Sequence, residues 1–194
     1  ITETLCKQAA QLIHTSNTYL IPEQEILASA LARLSGMEQV FFSNSGAESN
    51  EAAIKMTRLY ARKKGIEQPI IIAMENAFHG RTMATLSLSG SERLQTGFEP
   101  LLAQFIHIPF NDVLALEKAI KQYQKNIVAI LLEPIQGDGG IQIATPNFLQ
   151  TIRDYCDKYD WLMILDEIQT GLCRTGPWFA YQTYNILPDI VTIA

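Results

Sequence analysis

Residues Ile127 to Leu132 form six apolar positions without interruption, ending in Glu133-Pro134, and Trp161 to Leu165 repeat the pattern, ending in Asp166-Glu167. A strand with one face in water alternates apolar and polar residues, whereas a continuous apolar strand is covered on both faces. Ile70-Ile71-Ile72 and Gln104 to Ile108 are shorter strands of the same kind, and Asp189 to Ala194 begin another. Helical periodicity fills the intervals. Asp112 stands at the start of a helix carrying Val113, Leu116 and Ile120, while Thr145 and Pro146 occupy the N-cap and first position of one carrying Phe148, Leu149, Ile152, Tyr155, Cys156 and Tyr159. Strands alternating with helices predict an α/β fold, a mostly parallel sheet flanked by helices.

Ahead of this pattern, Leu5, Ala9, Leu12 and Ile13, and then Ile26, Leu27, Ala30, Leu31 and Leu34 before Gly36, recur at helical spacing. These predict a helical N-terminal segment over residues 1–36 and one larger domain over 37–194. Within the latter, Val40-Phe41-Phe42 is a strand or loop leading into the turn Ser43-Asn44-Ser45-Gly46, and a helix follows from Ala47 to Lys63 and Lys64. The first residue is Ile1 and the last apolar run is cut short at Ala194, so a fragment of a longer chain is expected.

Charge and cysteine content narrow the function. With 20 acidic against 15 basic side chains the formal net charge is −5, and no stretch gathers the lysine and arginine density that phosphate neutralisation on a nucleic acid requires. Cys6, Cys156 and Cys173 lack both the paired spacing of a zinc site and the density of a disulfide scaffold, which predicts a reducing, cytoplasmic setting. No apolar run approaches the roughly 18 residues of a membrane span. His14, His79 and His107 are too far apart for a familiar metal motif, so no metal is expected, and each reads as a solvated or locally bonded histidine. Small-molecule chemistry is left as the better reading.

Candidate site residues cluster where such a sheet binds ligands, beyond the carboxyl ends of its strands. Glu133 and Asp166 are each delivered to that edge, where a carboxylate can hold a cationic ring nitrogen or an ammonium group; helix-capping or loop acids are the plain alternative. Ser45, Gly46 and Ala47 open a helix, and unpaired N–H groups there can seat a phosphate or simply be capped. The segment Asn76 to Thr82 brings Phe78, able to stack on a flat ring, close to Arg81, able to grip a carboxylate through two bonds. Neither the P-loop nor the dinucleotide fingerprint is present.

Four segments, Ser43-Asn44-Ser45-Gly46-Ala47-Glu48-Ser49-Asn50-Glu51, Phe78-His79-Gly80-Arg81-Thr82, Glu133-Pro134-Ile135-Gln136-Gly137 and Asp166-Glu167-Ile168-Gln169-Thr170-Gly171, together resemble class III aminotransferases in identity and order. The resemblance implies fold type I architecture and pyridoxal 5'-phosphate as cofactor. By it, Ser45, Gly46 and Ala47 would hold the phosphate, Phe78 and Ile168 would sandwich the pyridine ring, and Asp166 would pair with the ring nitrogen. Glu167 and Gln169 would belong to the same cofactor segment, Gln169 reaching the phenolic oxygen. Arg81 would bind the α-carboxylate of the amino acid, and Glu133 would lie in the substrate pocket as part of a switch between amino acid and 2-oxo acid. Leu12-Ile13-His14-Thr15-Ser16-Asn17 and Pro109-Phe110-Asn111-Asp112 are most similar to the branch acting on N-acetylornithine. The alternatives are ornithine, succinylornithine or 4-aminobutyrate as donor, or a lysine-less binding form.

A homodimer is implied, with no nucleic acid or membrane partner. The family's Schiff-base lysine is expected just after Ala194, so these 194 residues alone are expected to be inactive. The resemblance also departs at two loop positions, with Cys173 in place of the usual glycine and Asp138 in place of glutamate.

Overall fold

The structure is a computed structural model that describes residues 1–16 and 18–194; Asn17, part of the segment similar to the N-acetylornithine branch, lies outside the described residues. The chain divides into two compact units, Ile1–Phe41 and Phe42–Ala194. The division falls five residues beyond Gly36, because the stretch after the second helix stays with it.

The first unit contains α1 (Thr2–Gln11) and α2 (Pro22–Ser35). Pro22 occupies the first turn of α2, and Gly36 ends it in the left-handed region at φ 76°, which glycine adopts without a Cβ penalty. Helical periodicity located both helices, but α1 ends before Leu12 and Ile13, and the periodic residues are not all buried. No residue of α1 is buried, and Leu5, Ile26 and Leu27 are exposed.

In the second unit α3 (Gly46–Lys63) comes first, and the Val40-Phe41-Phe42 stretch that precedes it in the chain is loop rather than strand. The strands in chain order are β1 (Ile70–Met74), β2 (Phe105–Ile108), β3 (Ile127–Leu132), β4 (Ile135–Gln136), β5 (Gln142–Ile143), β6 (Leu162–Asp166) and β7 (Ile190–Thr192). Five of them form one sheet in the order β2-β1-β3-β6-β7 with every pairing parallel. The other two, β4 and β5, make a small antiparallel hairpin whose turn holds Gly137 to Gly140.

All six side chains of β3 are fully buried, at about 1.5–3 kcal/mol each for the larger ones. Ala129 and Leu131 share one face with Ile71, Ala73 and Ile164, against Ala53 and Ile54 of α3 and Leu88 of α4 (Met83–Leu88). After a short helix α5 (Glu92–Gln95), α6 (Val113–Tyr123) packs on β2, and α7 (Pro146–Tyr159) packs on β3 and β6. The caps are those read from the sequence. The Asp112 side chain accepts the Ala115 N–H at 2.9 Å, and Thr145 Oγ1 accepts the Phe148 N–H at 3.3 Å. Among the described residues no helix is long and apolar enough to cross a membrane.

β1 has β2 on one side and β3 on the other, so the connections leaving β1 and β3 diverge at their carboxyl ends, the place where sheets of this kind bind ligands. Phe78 follows β1, and Glu133 follows β3.

Candidate active site

Asp166 ends β6 and is 4% exposed. Its Oδ2 accepts two hydrogen bonds, from Asn50 Nδ2 at 2.7 Å and from His79 Nδ1 at 2.7 Å, and its Oδ1 accepts the Ile168 N–H at 3.1 Å. An ionised carboxylate offers about four acceptor positions, so three are filled and one remains on Oδ1. His79 is 2% exposed, its own N–H bonded to Ser89 Oγ at 2.9 Å, and its Nε2 is buried with no partner. The expectation of a solvated or locally bonded histidine is therefore corrected for His79: the chain returns 87 residues later to meet it. His14 is exposed, while His107 bonds the Leu88 carbonyl and is pushed below the usual histidine range by burial.

The segments around Asp166 are packed on one another. A Cβ on Gly46 would lie 2.8 Å from Ile168 Cδ1, so the missing side chain is what lets Ile168 sit over the start of α3. Gly80, at φ 134°, would carry a Cβ 2.6 Å from Thr85 Oγ1 and 3.0 Å from Ala47 Cβ, and only glycine serves there. Gly137 likewise touches the Gln169 side chain, which a Cβ would approach to 2.8 Å. Two of the four sequence segments thus meet a third, α3 and its entry turn, and the Glu133–Gly137 segment packs on those two through Phe78 and Gln169. Ser45 is the N-cap of α3, its hydroxyl accepting the Glu48 N–H at 3.3 Å, and Gly46 and Ala47 form the first turn.

Phe78 is half-buried, with the Arg81 guanidinium 5.9 Å from its ring centre. Arg81 is exposed, and among the described residues no carboxylate pairs with it. Glu133 is 4% exposed, with Oε2 accepting the Phe78 N–H at 3.2 Å. Burial pushes its carboxyl up to about 7 and Asp166 adds to the effect, against the opposing pull of His79 and of the Phe78 and Gly137 N–H groups. That carboxyl is committed to the backbone on both sides of the crevice.

Glu167 has a different neighbourhood. Its carboxylate accepts from Thr170 Oγ1 at 2.6 Å and from the N–H groups of Ala180 and Tyr181 at 3.0 and 2.9 Å. Those bonds hold the 3-10 turn Ala180–Tyr184, a scaffold task, although the residue adjoins Asp166. Cys173 has φ 68° and follows Leu172 at φ 56°, a left-handed pair that explains why glycine suits this place; Asp138 is exposed in the hairpin turn.

Sequence reasoning missed Asn50, Thr192 and Ser89. Asn50 and Thr192 meet 142 residues apart through a 2.8 Å bond, and a buried amide within a helical stripe leaves no periodic signal. A polar residue at a core position of α3, beside Ala53 and Ile54, was the one available hint.

The model of the family described as Aminotransferase class-III matches residues 1–194. An acetylornithine aminotransferase of Nitrosomonas europaea is 52% identical over 194 residues, covering 100% of this chain and 49% of its own length. One of Methanocaldococcus jannaschii is 47% identical over 195 residues, covering 100% of this chain and 48% of its own. Among solved structures, ornithine aminotransferase from Toxoplasma gondii ME49 superposes with a TM-score of 0.93 at 34% identity, covering 99% of this chain and 46% of that one. N-acetylornithine aminotransferase from Stenotrophomonas maltophilia K279a gives 0.84 at 38% identity, over 100% and 47%. The chain spans about half the length of the relatives it matches. With an all-parallel central sheet, three of the four motifs meeting at one buried carboxylate and a family match over every residue, this chain belongs to the class III aminotransferases.

Proposed function

We propose that the whole protein carrying this chain transfers an amino group from N-acetylornithine to 2-oxoglutarate, with pyridoxal 5'-phosphate as cofactor, in arginine biosynthesis. The observation that carries the reading is Asp166: a buried carboxylate with three neutral or histidine donors and one acceptor position left. Such a group fits a protonated ring nitrogen. The donor set agrees at the other end, where the first turn of α3 offers backbone N–H groups and the Ser45 hydroxyl to a phosphate. When bound, the cofactor supplies an electron sink for bond breaking at the amino-bearing carbon.

The chain's own residues have these tasks. Asp166 holds the ring nitrogen protonated, and Phe78 and Ile168 flank the ring and exclude water from its faces. Ser45, Gly46 and Ala47 seat the phosphate, and Gln169 reaches the phenolic oxygen. Arg81, free of any internal carboxylate among the described residues, binds the substrate α-carboxylate. Glu133 stands at the substrate side, where it also fixes the Phe78 backbone. Glu167 adjoins the cofactor by sequence and acts on it through the scaffold. Residues 1–41 form a helical unit, and residues 42–194 are part of the cofactor-binding domain.

The acetylated donor is supported by the 52% and 47% identity to acetylornithine aminotransferases and, among the solved structures, by 38% to the N-acetylornithine enzyme against 34% to the ornithine enzyme of Toxoplasma gondii. The exposed apolar residues Leu5, Ile26 and Leu27 support a homodimer, and the three free cysteines a cytoplasmic location. The test is glutamate formation by the purified whole protein with 2-oxoglutarate and each of four donors. N-acetylornithine is expected to exceed ornithine, N-succinylornithine and 4-aminobutyrate by at least about tenfold in kcat/KM. A preference for any of the others would overturn the donor assignment.

A further inference from the structure

Resting on that reading, we propose that Asn50 is a positioning residue which, anchored by Thr192, aims the Asp166 carboxylate at the ring nitrogen of the cofactor. Asn50 is 0% exposed and sits on α3, one turn beyond the phosphate seat. Both polar atoms of its amide are bonded. Nδ2 donates to Asp166 Oδ2 at 2.7 Å and to the His79 carbonyl at 2.9 Å, and Oδ1 accepts the Thr192 hydroxyl at 2.8 Å.

The orientation of the amide comes from chemistry. A carboxylate and a carbonyl can only accept, so the nitrogen must face Asp166 and His79; the oxygen then faces β7, and the Thr192 hydroxyl must be the donor there. A flipped amide would set its oxygen against both acceptors and its NH2 against Thr192. One side chain therefore ties together four elements that the reaction needs in register: the helix under the phosphate, the segment carrying Phe78 and Arg81, the end of β6 with Asp166, and the end of β7.

His79 alone does not achieve this. It grips the same Oδ2, and two donors on one oxygen resist rotation of the carboxyl group in a way that a single donor does not. With Oδ2 held from α3 and from the segment after β1, Oδ1 is left as the free end, steadied only by the Ile168 N–H.

The test separates aiming at the ring nitrogen from general support of the fold. Apparent dissociation constants are measured for the whole apoprotein with pyridoxal 5'-phosphate and with its analogue bearing C–H in place of the ring nitrogen, in wild type, Asn50→Leu and Thr192→Val. Wild type is expected to prefer the natural cofactor by tenfold or more. Asn50→Leu should lose most of that preference, weakening the cofactor about tenfold while changing the analogue less than about twofold, and Thr192→Val should lose it in part. Equal weakening of both ligands, or an unchanged preference in both variants, would overturn the inference. If Asn50→Leu does not fold, Thr192→Val decides, because it keeps the shape and removes only the hydroxyl. A wild type that binds both ligands equally would overturn the pairing of Asp166 with the ring nitrogen as well, so the two failures are distinguishable.

Discussion

Replacing Asp166 by asparagine keeps the shape and removes the charge, and the surrounding donors dictate which way the new amide must face. The Oδ2 position faces both Asn50 Nδ2 and His79 Nδ1, so the amide oxygen must lie there. Its NH2 then takes the Oδ1 position, where the Ile168 N–H points at it from 3.1 Å, donor against donor. A buried donor left without an acceptor costs about 1–3 kcal/mol, and relief from burying a charge offsets part of it. The apoprotein should therefore lose only about 1–2 kcal/mol, a drop of a few degrees in thermal midpoint. Catalysis should suffer more. The NH2 now presents a donor to a ring nitrogen that needs an acceptor, and losing a preorganised electrostatic group of this kind costs roughly 3–4 kcal/mol of barrier, or about 10²–10³ in rate. The assay is the single half-reaction of the whole protein with N-acetylornithine, followed by rapid mixing at saturating donor, beside a melt of the apoprotein. A rate within tenfold of wild type would refute the reasoning, because the position facing Oδ1 would then not be occupied by the ring nitrogen.

Arg81→Lys should lower kcat/KM for the amino donor by roughly tenfold, or ~1.4 kcal/mol, with the cofactor's absorbance spectrum intact, since an ammonium group cannot reproduce a planar two-bond grip; unchanged kinetics would remove Arg81 from the site. Glu133, its carboxyl raised to about 7, should show a protonated carboxyl band in infrared difference spectra of the whole protein that fades with a midpoint near pH 7 and is absent from Glu133→Gln. Since the folded-state value is raised, proton binding there favours the folded state fully below about pH 4.5, and that contribution is lost as the pH rises through about 7. A midpoint below pH 5 would show that Glu133 is not shielded from water.

What the sequence disclosed was local. The uninterrupted run Ile127–Leu132 is β3 to the residue, and the caps at Asp112 and Thr145 hold because an N-cap bond spans only three residues. The carboxylates at the ends of β3 and β6 could be placed at the sheet edge for the same reason. α4 escaped notice because Thr82 and Thr85 cap only six residues, too few for helical periodicity to register, and β4 and β5 are two residues each. The polar network behind Asp166 was illegible for a deeper reason. His79, Asn50 and Thr192 reach it across separations of 87 to 142 residues, and such meetings are set by strand order, which no local pattern contains.

Asp166 and Glu167 are neighbours of the same charge with opposite duties, one held from Asn50 and His79 at the crevice and the other binding the turn at Ala180 and Tyr181. Successive side chains of a strand leave on opposite faces, so a slip of one position in β6 would send the longer carboxylate to the crevice and the shorter one to the turn. A scan of substitutions and single-codon deletions through Leu162–Leu165 would thus be lopsided. Swaps among apolar residues of similar volume should be tolerated there, and loss or gain of one residue should abolish function wherever in the strand it falls.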